Sequence, residues 1–178
     1  MICIIFGCTF VLSCGNKLSE QELKDLETQA EKGDINAAVK LKNYYESFLI
    51  SGVELKELKE KVAQGDKSAL KKIEDFRKYE KDYNRAFLLA AENGDSESAF
   101  WEGIECYWDF TDNINVKENK KKYRKFMEIA IKGGYKESYD YNDGGMSHID
   151  EYKKYYQNQS EEWWDSDSIK TKEQLSEK

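Results

Sequence analysis

Apolar residues recur at spacings of three and four along most of this chain, with polar residues between them. In the first such stretch the apolar positions are Leu23, Leu26 and Ala30. This spacing gives each helix one apolar face, and it predicts a series of amphipathic helices from residue 19 onward. Ser19, followed by Glu22 three residues later, predicts a capping box at the start of the first helix.

The helical pattern is interrupted four times by one short phrase: a small or branched apolar residue, two further residues, and a glycine. The copies are Ala30-Glu-Lys-Gly33, Val62-Ala-Gln-Gly65, Ala91-Glu-Asn-Gly94 and Ala130-Ile-Lys-Gly133. Successive glycines are 32, 29 and 39 residues apart, which is the size of a helix-turn-helix repeat. Glycine ends helices in the left-handed conformation, and we predict that these four glycines are structural turn residues.

Apolar runs flank each copy, and they predict a helix on either side of it. Asp34 is placed to cap the helix that follows Gly33. After Gly65 the apolar positions are Ala69, Ile73 and Phe76. A separate run from Tyr83 to Ala91 leads to the third glycine. The small residues after each glycine suit a corner where two helices approach closely.

The third copy carries a family resemblance. The segment from Ala86 to Ala99, together with Gly103 and Tyr107, resembles the Sel-one-like repeat, a relative of the tetratricopeptide helix pair. The segment from Ala30 to Tyr45 is similar, with Lys42 at the place of the second glycine. Residues 54–79 and 119–141 match it in part.

The resemblance covers residues 19–141 and implies an all-α fold, a short right-handed α-solenoid of helix-turn-helix repeats. It also implies a role in protein–protein contact, and the family has no catalytic residues to transfer. The stretch from Asp109 to Asn119 is expected to lengthen the last connection between repeats. We expect Tyr152, Tyr155 and Tyr156 to lie on a short helix that caps the open end.

The first residues differ from all others, because Met1 to Ser13 contain no charged side chain. This apolar stretch is too short to span a bilayer and fits a signal peptide. It ends in Val11-Leu-Ser-Cys14-Gly, which resembles a bacterial lipoprotein cleavage box with Cys14 as the lipidation site. The alternative is a buried N-terminal element.

These observations divide the chain into five parts. They are a lipoprotein signal peptide (1–13), a tether (14–18), the repeat solenoid (19–141), a C-terminal cap (142–165) and a disordered tail (166–178). A lipid at Cys14 would be the only attachment to a membrane. The expected location is the bacterial cell envelope, at the periplasmic face of the outer membrane.

Composition adds two constraints to this picture. The 178 residues contain no proline, and 35% of them are charged, which suits helices. The formal net charge is −7 and the lysines and arginines are scattered. We see no basic stripe of the kind that a phosphate backbone requires, so a nucleic-acid partner is not expected.

Candidate chemistry in the sequence is sparse. Cys106 lies in a helical pattern and is interpreted as a small buried hydrophobe. His148 is the only histidine, so a zinc site is not expected, and we interpret His148 as a surface residue. Asp140, Asn142 and Glu151 match three positions of a calcium-binding loop, but a flexible glycine turn is the favoured interpretation. We expect no metal and no cofactor.

Two groups of residues are candidates for binding a protein partner. Trp163 and Trp164 are adjacent on a polar background, and tryptophan is frequent in binding hot spots. The alternative, which we favour, is that one ring covers the end of the stack. The second group is an acidic ridge beside two tryptophans, for which a solvated helix face is the alternative. Its members are Trp101, Glu102, Glu105, Trp108 and Asp109.

The sequence therefore favours a non-enzymatic, protein-binding lipoprotein. Among small Sel-one-like lipoproteins one recurrent role is immunity, in which the protein neutralises a periplasmic toxin delivered by a neighbouring cell. The first alternative is an adaptor or regulator that docks on a housekeeping complex of the envelope. The second and less favoured alternative is a cryptic hydrolase.

Overall fold

In the computed structural model, residues 18–137 and 146–169 are described, and within them the chain is all helical, as predicted. The helices are α1 (Glu20–Glu31), α2 (Ile35–Glu46), α3 (Gly52–Ala63), α4 (Lys67–Glu92), α5 (Ser96–Thr111), α6 (Val116–Lys132), α7 (His148–Glu151) and α8 (Glu161–Trp164). A π-helical segment, Tyr152–Tyr156, joins α7 to α8. The predicted signal peptide and the lipidation site Cys14 lie outside the described residues.

Side-chain caps begin most of these helices. The predicted capping box is present, since the Ser19 side chain accepts from the backbone N–H of Glu22 while the Glu22 carboxylate accepts from Ser19. Asp34, Asp66 and Asp95 cap α2, α4 and α5 through their side-chain oxygens. Each cap satisfies backbone N–H groups that have no partner within the helix.

The first three glycine phrases form the same helix-ending turn. Gly33, Gly65 and Gly94 have φ values of 94°, 91° and 105°, a region that non-glycine residues rarely adopt. Each amide donates to the carbonyl three residues earlier, and the next amide donates to the carbonyl five residues before it. This pair of bonds defines a Schellman motif.

In the fourth copy, the prediction for Gly133 is wrong by one position. Gly133 has a φ of −76°, and Gly134 takes the left-handed conformation with a φ of 75°. α6 continues one residue further into the phrase, because Gly133 itself donates to the carbonyl of Ile129. A Cβ on Gly133 would lie 2.5 Å from the Cβ of Ser96. Gly133 is therefore required by close packing against α5.

This distinction can be tested by alanine substitution. We expect Gly133→Ala to lower the free energy of unfolding by about 1–3 kcal/mol through overpacking. In a Ser96→Gly background the same substitution should cost at least about 1 kcal/mol less, because the clashing Cβ is absent. Urea denaturation of the four proteins measures both values. An equal cost in the two backgrounds would contradict the packing role.

The pairwise arrangement of helices is modified in the middle of the chain. The sequence pattern predicts one helix around Ala69, Ile73 and Phe76 and another that begins near Tyr83, yet α4 runs unbroken through both for 26 residues. No glycine or proline lies between Lys67 and Glu92, so nothing in the backbone ends the helix. The second and third units therefore share one long helix.

The predicted long insertion is also absorbed into helices. α5 extends to Thr111 and α6 begins at Val116, so only residues 112–115 remain as a connection. Asn113 and Asn115 adopt positive φ values of 67° and 41° in this turn, and asparagine tolerates this conformation better than most residues.

The buried side chains form three clusters. One lies between α1, α2 and the second half of α4, and a smaller one, around Leu58, Ala69 and Ile73, lies between α3 and the first half of α4. The largest joins α5 and α6 to the C-terminal segments and is rich in aromatic rings. The C-terminal cap is thus built onto the α5–α6 pair.

A buried lysine fixes this cap. Lys120 of α6 is fully buried, and its Nζ donates to the backbone carbonyl of Trp163, to Ser166 Oγ at 3.2 Å and to the carbonyl of Ser168 at 3.1 Å. Ile169 also packs against the core. The prediction that disorder begins at residue 166 is therefore wrong for 166–169, because a buried ammonium group requires these acceptors.

Candidate protein-binding groove

A groove lies between the second half of α4 and the first half of α5. We call it the α4–α5 groove, and it is lined by Tyr83, Asn84, Phe87, Trp101, Glu102 and Glu105. On each helix two adjacent residues lie three and four positions before the third, so all three are on the same side of the helix. Three of the predicted ridge residues are thereby brought together with two further aromatic rings from α4.

The turn between α4 and α5 positions the two walls of the groove. Asp95, the cap of α5, also pairs with Lys42 of α2, whose Nζ lies 3.2 Å from the carboxylate. The Lys42 side chain is only 7% exposed, and its Nζ is 3.3 Å from Ser98 Oγ. Lys42 thus connects α2 to the start of α5.

The two carboxylates of the groove form no ion pair within the described residues, although the charge of Lys122 lowers the pKa of Glu102. Among the residues described, neither Glu102 nor Glu105 has an ion-pair partner within 4.0 Å. Burial, followed by the nearby charges of Glu105 and Glu92, raises the pKa of Glu102 above its ordinary value. The Glu102 carboxyl ionises more easily in the unfolded chain, because its pKa is raised in the folded protein. The ionised Glu102 therefore destabilises the folded protein at neutral pH.

The remaining ridge residues, Trp108 and Asp109, lie one turn further along α5. Trp108 is 49% exposed and extends the face that carries Glu105. Asp109 is partly buried and accepts a hydrogen bond of 3.2 Å from Asn119 Nδ2, which ties the end of α5 to the start of α6. Trp108 is therefore available to a partner, and Asp109 has a structural contact.

Trp163 and Trp164 are not exposed. They are 6% and 1% exposed, and their rings meet edge to face with centroids 4.6 Å apart. Lys120 Nζ lies 4.1 Å from the Trp163 ring centroid, and the Arg124 guanidinium lies 5.5 Å from that of Trp164. The hypothesis of an exposed tryptophan anchor is therefore wrong, because both rings fill the space between α6 and the cap.

The aromatic residues of α4 were missed as binding candidates. Tyr83 and Phe87 belong to the apolar run that leads to Gly94, and the sequence pattern indicated only that this run is helical. In the structure both rings are only partly buried, with centroids 5.6 Å apart. Their four-residue spacing was visible in the sequence, but their exposure depends on how α5 folds back.

The side chains considered for chemistry, Cys106, His148 and Glu151, are buried or make contacts within the fold. Burial raises the pKa of the Cys106 thiol to about 12, which makes it a poor nucleophile. His148 Nδ1 lies 3.2 Å from Glu137 Oε2, and Tyr107 donates to Glu151 at 3.1 Å. Glu151 is thus engaged with the core, and the other calcium candidates, Asp140 and Asn142, lie outside the described residues.

Over the described ranges there is no cluster of three metal-ligating side chains and no helix long and apolar enough to cross a membrane. Comparisons with protein-family models, with curated proteins and with solved structures found no significant match.

Proposed function

We propose that this chain is a non-enzymatic protein-binding protein and that the α4–α5 groove, with the adjoining Trp108, is its docking surface. The observation that carries the proposal is the combination on α5 of Glu102 and Glu105, which form no ion pair within the described residues, with the half-exposed Trp108. Tryptophan is among the residues that dominate binding energy, and unpaired charges select a partner of opposite sign.

We further propose that the helices form a short right-handed α-solenoid of Sel-one-like repeats. The repeated glycine–aspartate turn at Gly33, Gly65 and Gly94 supports this, since each copy ends one helix and caps the next. Most consecutive helices also pack on one another, α1 on α2, α3 on α4, α4 on α5 and α5 on α6, whereas α2 packs chiefly on α4. Solenoids present extended surfaces for binding partners.

Within this class, our hypothesis is an envelope lipoprotein that neutralises a toxin. It rests on the sequence features of residues 1–14 and on the family resemblance, and the groove adds a surface on which such a toxin could dock. An adaptor of a housekeeping complex would use the same surface, and the experiment below separates the two.

The test uses the product of the neighbouring gene as the probe. We expect the full-length protein to bind that product in isothermal titration calorimetry and to protect cells that express it in the periplasm. Trp108→Ala should raise the dissociation constant by at least about tenfold, the usual effect of losing an interface tryptophan.

The matched control is Leu70→Ala, which removes another exposed apolar side chain, 45% accessible, from the far half of α4. It should leave the dissociation constant within about twofold of the parent value. Binding without protection would favour the adaptor. Absence of both binding and protection would overturn the immunity hypothesis, and an unchanged affinity in Trp108→Ala would place the interface elsewhere.

A further inference from the structure

We propose that the α4–α5 groove is a receptor for an arginine side chain of the partner. This inference rests on the proposed function and specifies it, because it names the chemical group that the groove accepts. Two carboxylates and three aromatic rings line one concave surface, and this is the combination that binds organic cations in proteins.

The first support is the negative charge of the groove, which no ion pair neutralises within the described residues. The neighbouring cations form their ion pairs with other carboxylates, Lys42 with Asp95 and Glu97, Lys122 with Glu118, and Lys125 with Glu92. The charge of Lys122 also lowers the pKa of Glu102, but burial and the charges of Glu105 and Glu92 outweigh it. The carboxylates of the groove therefore keep their negative potential, and a cation that enters would be attracted at short range, in partly desolvated surroundings.

The negative potential extends along the α4 wall. Burial raises the pKa of Tyr83, and the charges of Glu46 and Glu97 raise it further. The carboxyl of Glu102 shows the same direction of shift on the opposite wall. Burial, which disfavours charge of either sign, is the larger cause of both shifts, and the surrounding carboxylates add a smaller contribution that a positive group in the groove would offset.

The second support is the arrangement of the two carboxylates and the three aromatic rings. Glu102 and Glu105 are three residues apart on one helix, so their Cβ atoms are separated by about 5–6 Å. Tyr83, Phe87 and Trp101 supply flat walls beside them. A guanidinium is planar, stacks on aromatic faces and offers five N–H donors to carboxylates, whereas an ammonium is a strongly hydrated point charge.

The experiment measures binding of small probes to the full chain by ¹H–¹⁵N correlation spectra. The probes are N-acetyl-arginine amide, N-acetyl-lysine amide and N-acetyl-citrulline amide, the last being a neutral analogue of arginine. We expect saturable shifts with arginine at the amide of Asn84 and the indole of Trp101, weaker shifts with lysine, and none with citrulline. Dissociation constants should be in the millimolar range, as expected for one cation at an accessible site.

Paired variants locate the site. Glu102→Gln with Glu105→Gln should abolish the arginine-dependent shifts. The control pair is Glu57→Gln with Glu60→Gln, because these two exposed glutamates have the same three-residue spacing on α3. The control pair should bind arginine like the parent protein.

The outcomes separate this inference from the proposed function. Equal binding of citrulline, or no saturable shift up to about 50 mM arginine probe, would overturn the arginine receptor. If Trp108→Ala still weakens partner binding in that case, the docking surface stands and only its ligand chemistry is wrong. Saturable arginine binding that survives the Glu102 and Glu105 substitutions would also overturn the inference.

Discussion

Asp95→Ala is expected to lower the free energy of unfolding by about 3 kcal/mol, the largest loss for any of the helix-capping aspartates. The substitution removes the cap of α5, where the carboxylate accepts from the backbone N–H of Ser98 at 3.1 Å. It also removes the main partner of Lys42, whose side chain is 7% exposed. Lys42 would keep only Ser98 Oγ at 3.3 Å and the exposed carboxylate of Glu97 at 3.5 Å, and a buried ammonium that loses its nearest carboxylate is costly.

The chain supplies its own controls for this prediction. Asp34 and Asp66 cap α2 and α4 with similar geometry, each accepting from two backbone amides at 2.8–3.2 Å. Neither forms an ion pair with another residue of the described ranges. Asp34→Ala and Asp66→Ala should therefore cost about 1 kcal/mol each, the ordinary value of a cap.

A double substitution isolates the ion pair from the cap. Adding Lys42→Met to Asp95→Ala removes the buried charge that has lost its nearest carboxylate, so the double variant should recover at least about 1 kcal/mol relative to Asp95→Ala. Urea unfolding followed by far-UV circular dichroism measures all five proteins. Equal losses for the three aspartates, with no recovery in the double variant, would show that Lys42 contributes nothing to the fold.

The contacts of Asp95 also make the free energy of unfolding depend on pH. Burial raises the pKa of Asp95, but hydrogen bonds from Ser98 and the charge of Lys42 outweigh this effect, and the net shift is downward. The stabilisation is therefore present above the ordinary carboxyl pKa of 3.8 and is lost as the pH falls through the lower, folded-state value. The difference in stability between the parent and Asp95→Ala should narrow below about pH 4.

The local features of the fold were predictable because they depend on neighbours in the sequence. The capping box at Ser19 and the turns at Gly33, Gly65 and Gly94 need only a few consecutive residues, and the structure confirms each. Gly133 shows the limit of this approach. Adjacent glycines can both end a helix, and only the structure shows that Gly134 takes the left-handed conformation while Gly133 packs against Ser96 of another helix.

Features that depend on joining distant segments were not predictable in the same way. An apolar pattern does not reveal whether the runs around Ile73 and Tyr83 belong to one helix or two. The groove was half predicted, since Trp101, Glu102 and Glu105 share a face of α5. The other wall, which α4 forms, was not predictable, because it depends on the turn at Gly94 that places α4 alongside α5.

The tryptophan pair of the cap leads to the second large prediction. Trp164→Ala should lower the free energy of unfolding by about 3–5 kcal/mol, because it deletes a large ring that is 1% exposed between α6 and α8 and leaves a cavity. Trp108→Ala is the matched control. It removes the same side chain at 49% exposure and should cost less than about 1 kcal/mol.

A loss of this size could leave too little folded Trp164→Ala protein to measure. Trp164→Phe is therefore a second variant that tests the same buried contact. The indole N–H groups of Trp163 and Trp164 are buried and have no hydrogen-bond partner in the described part of the chain, an arrangement that costs free energy. Phenylalanine keeps most of the apolar contact and removes one such group, so Trp164→Phe should lose no more than about 1–2 kcal/mol. If neither Trp164 variant changes the free energy of unfolding appreciably, the tryptophan pair is solvent-exposed. The hypothesis of an exposed tryptophan anchor would then replace that of a packed cap.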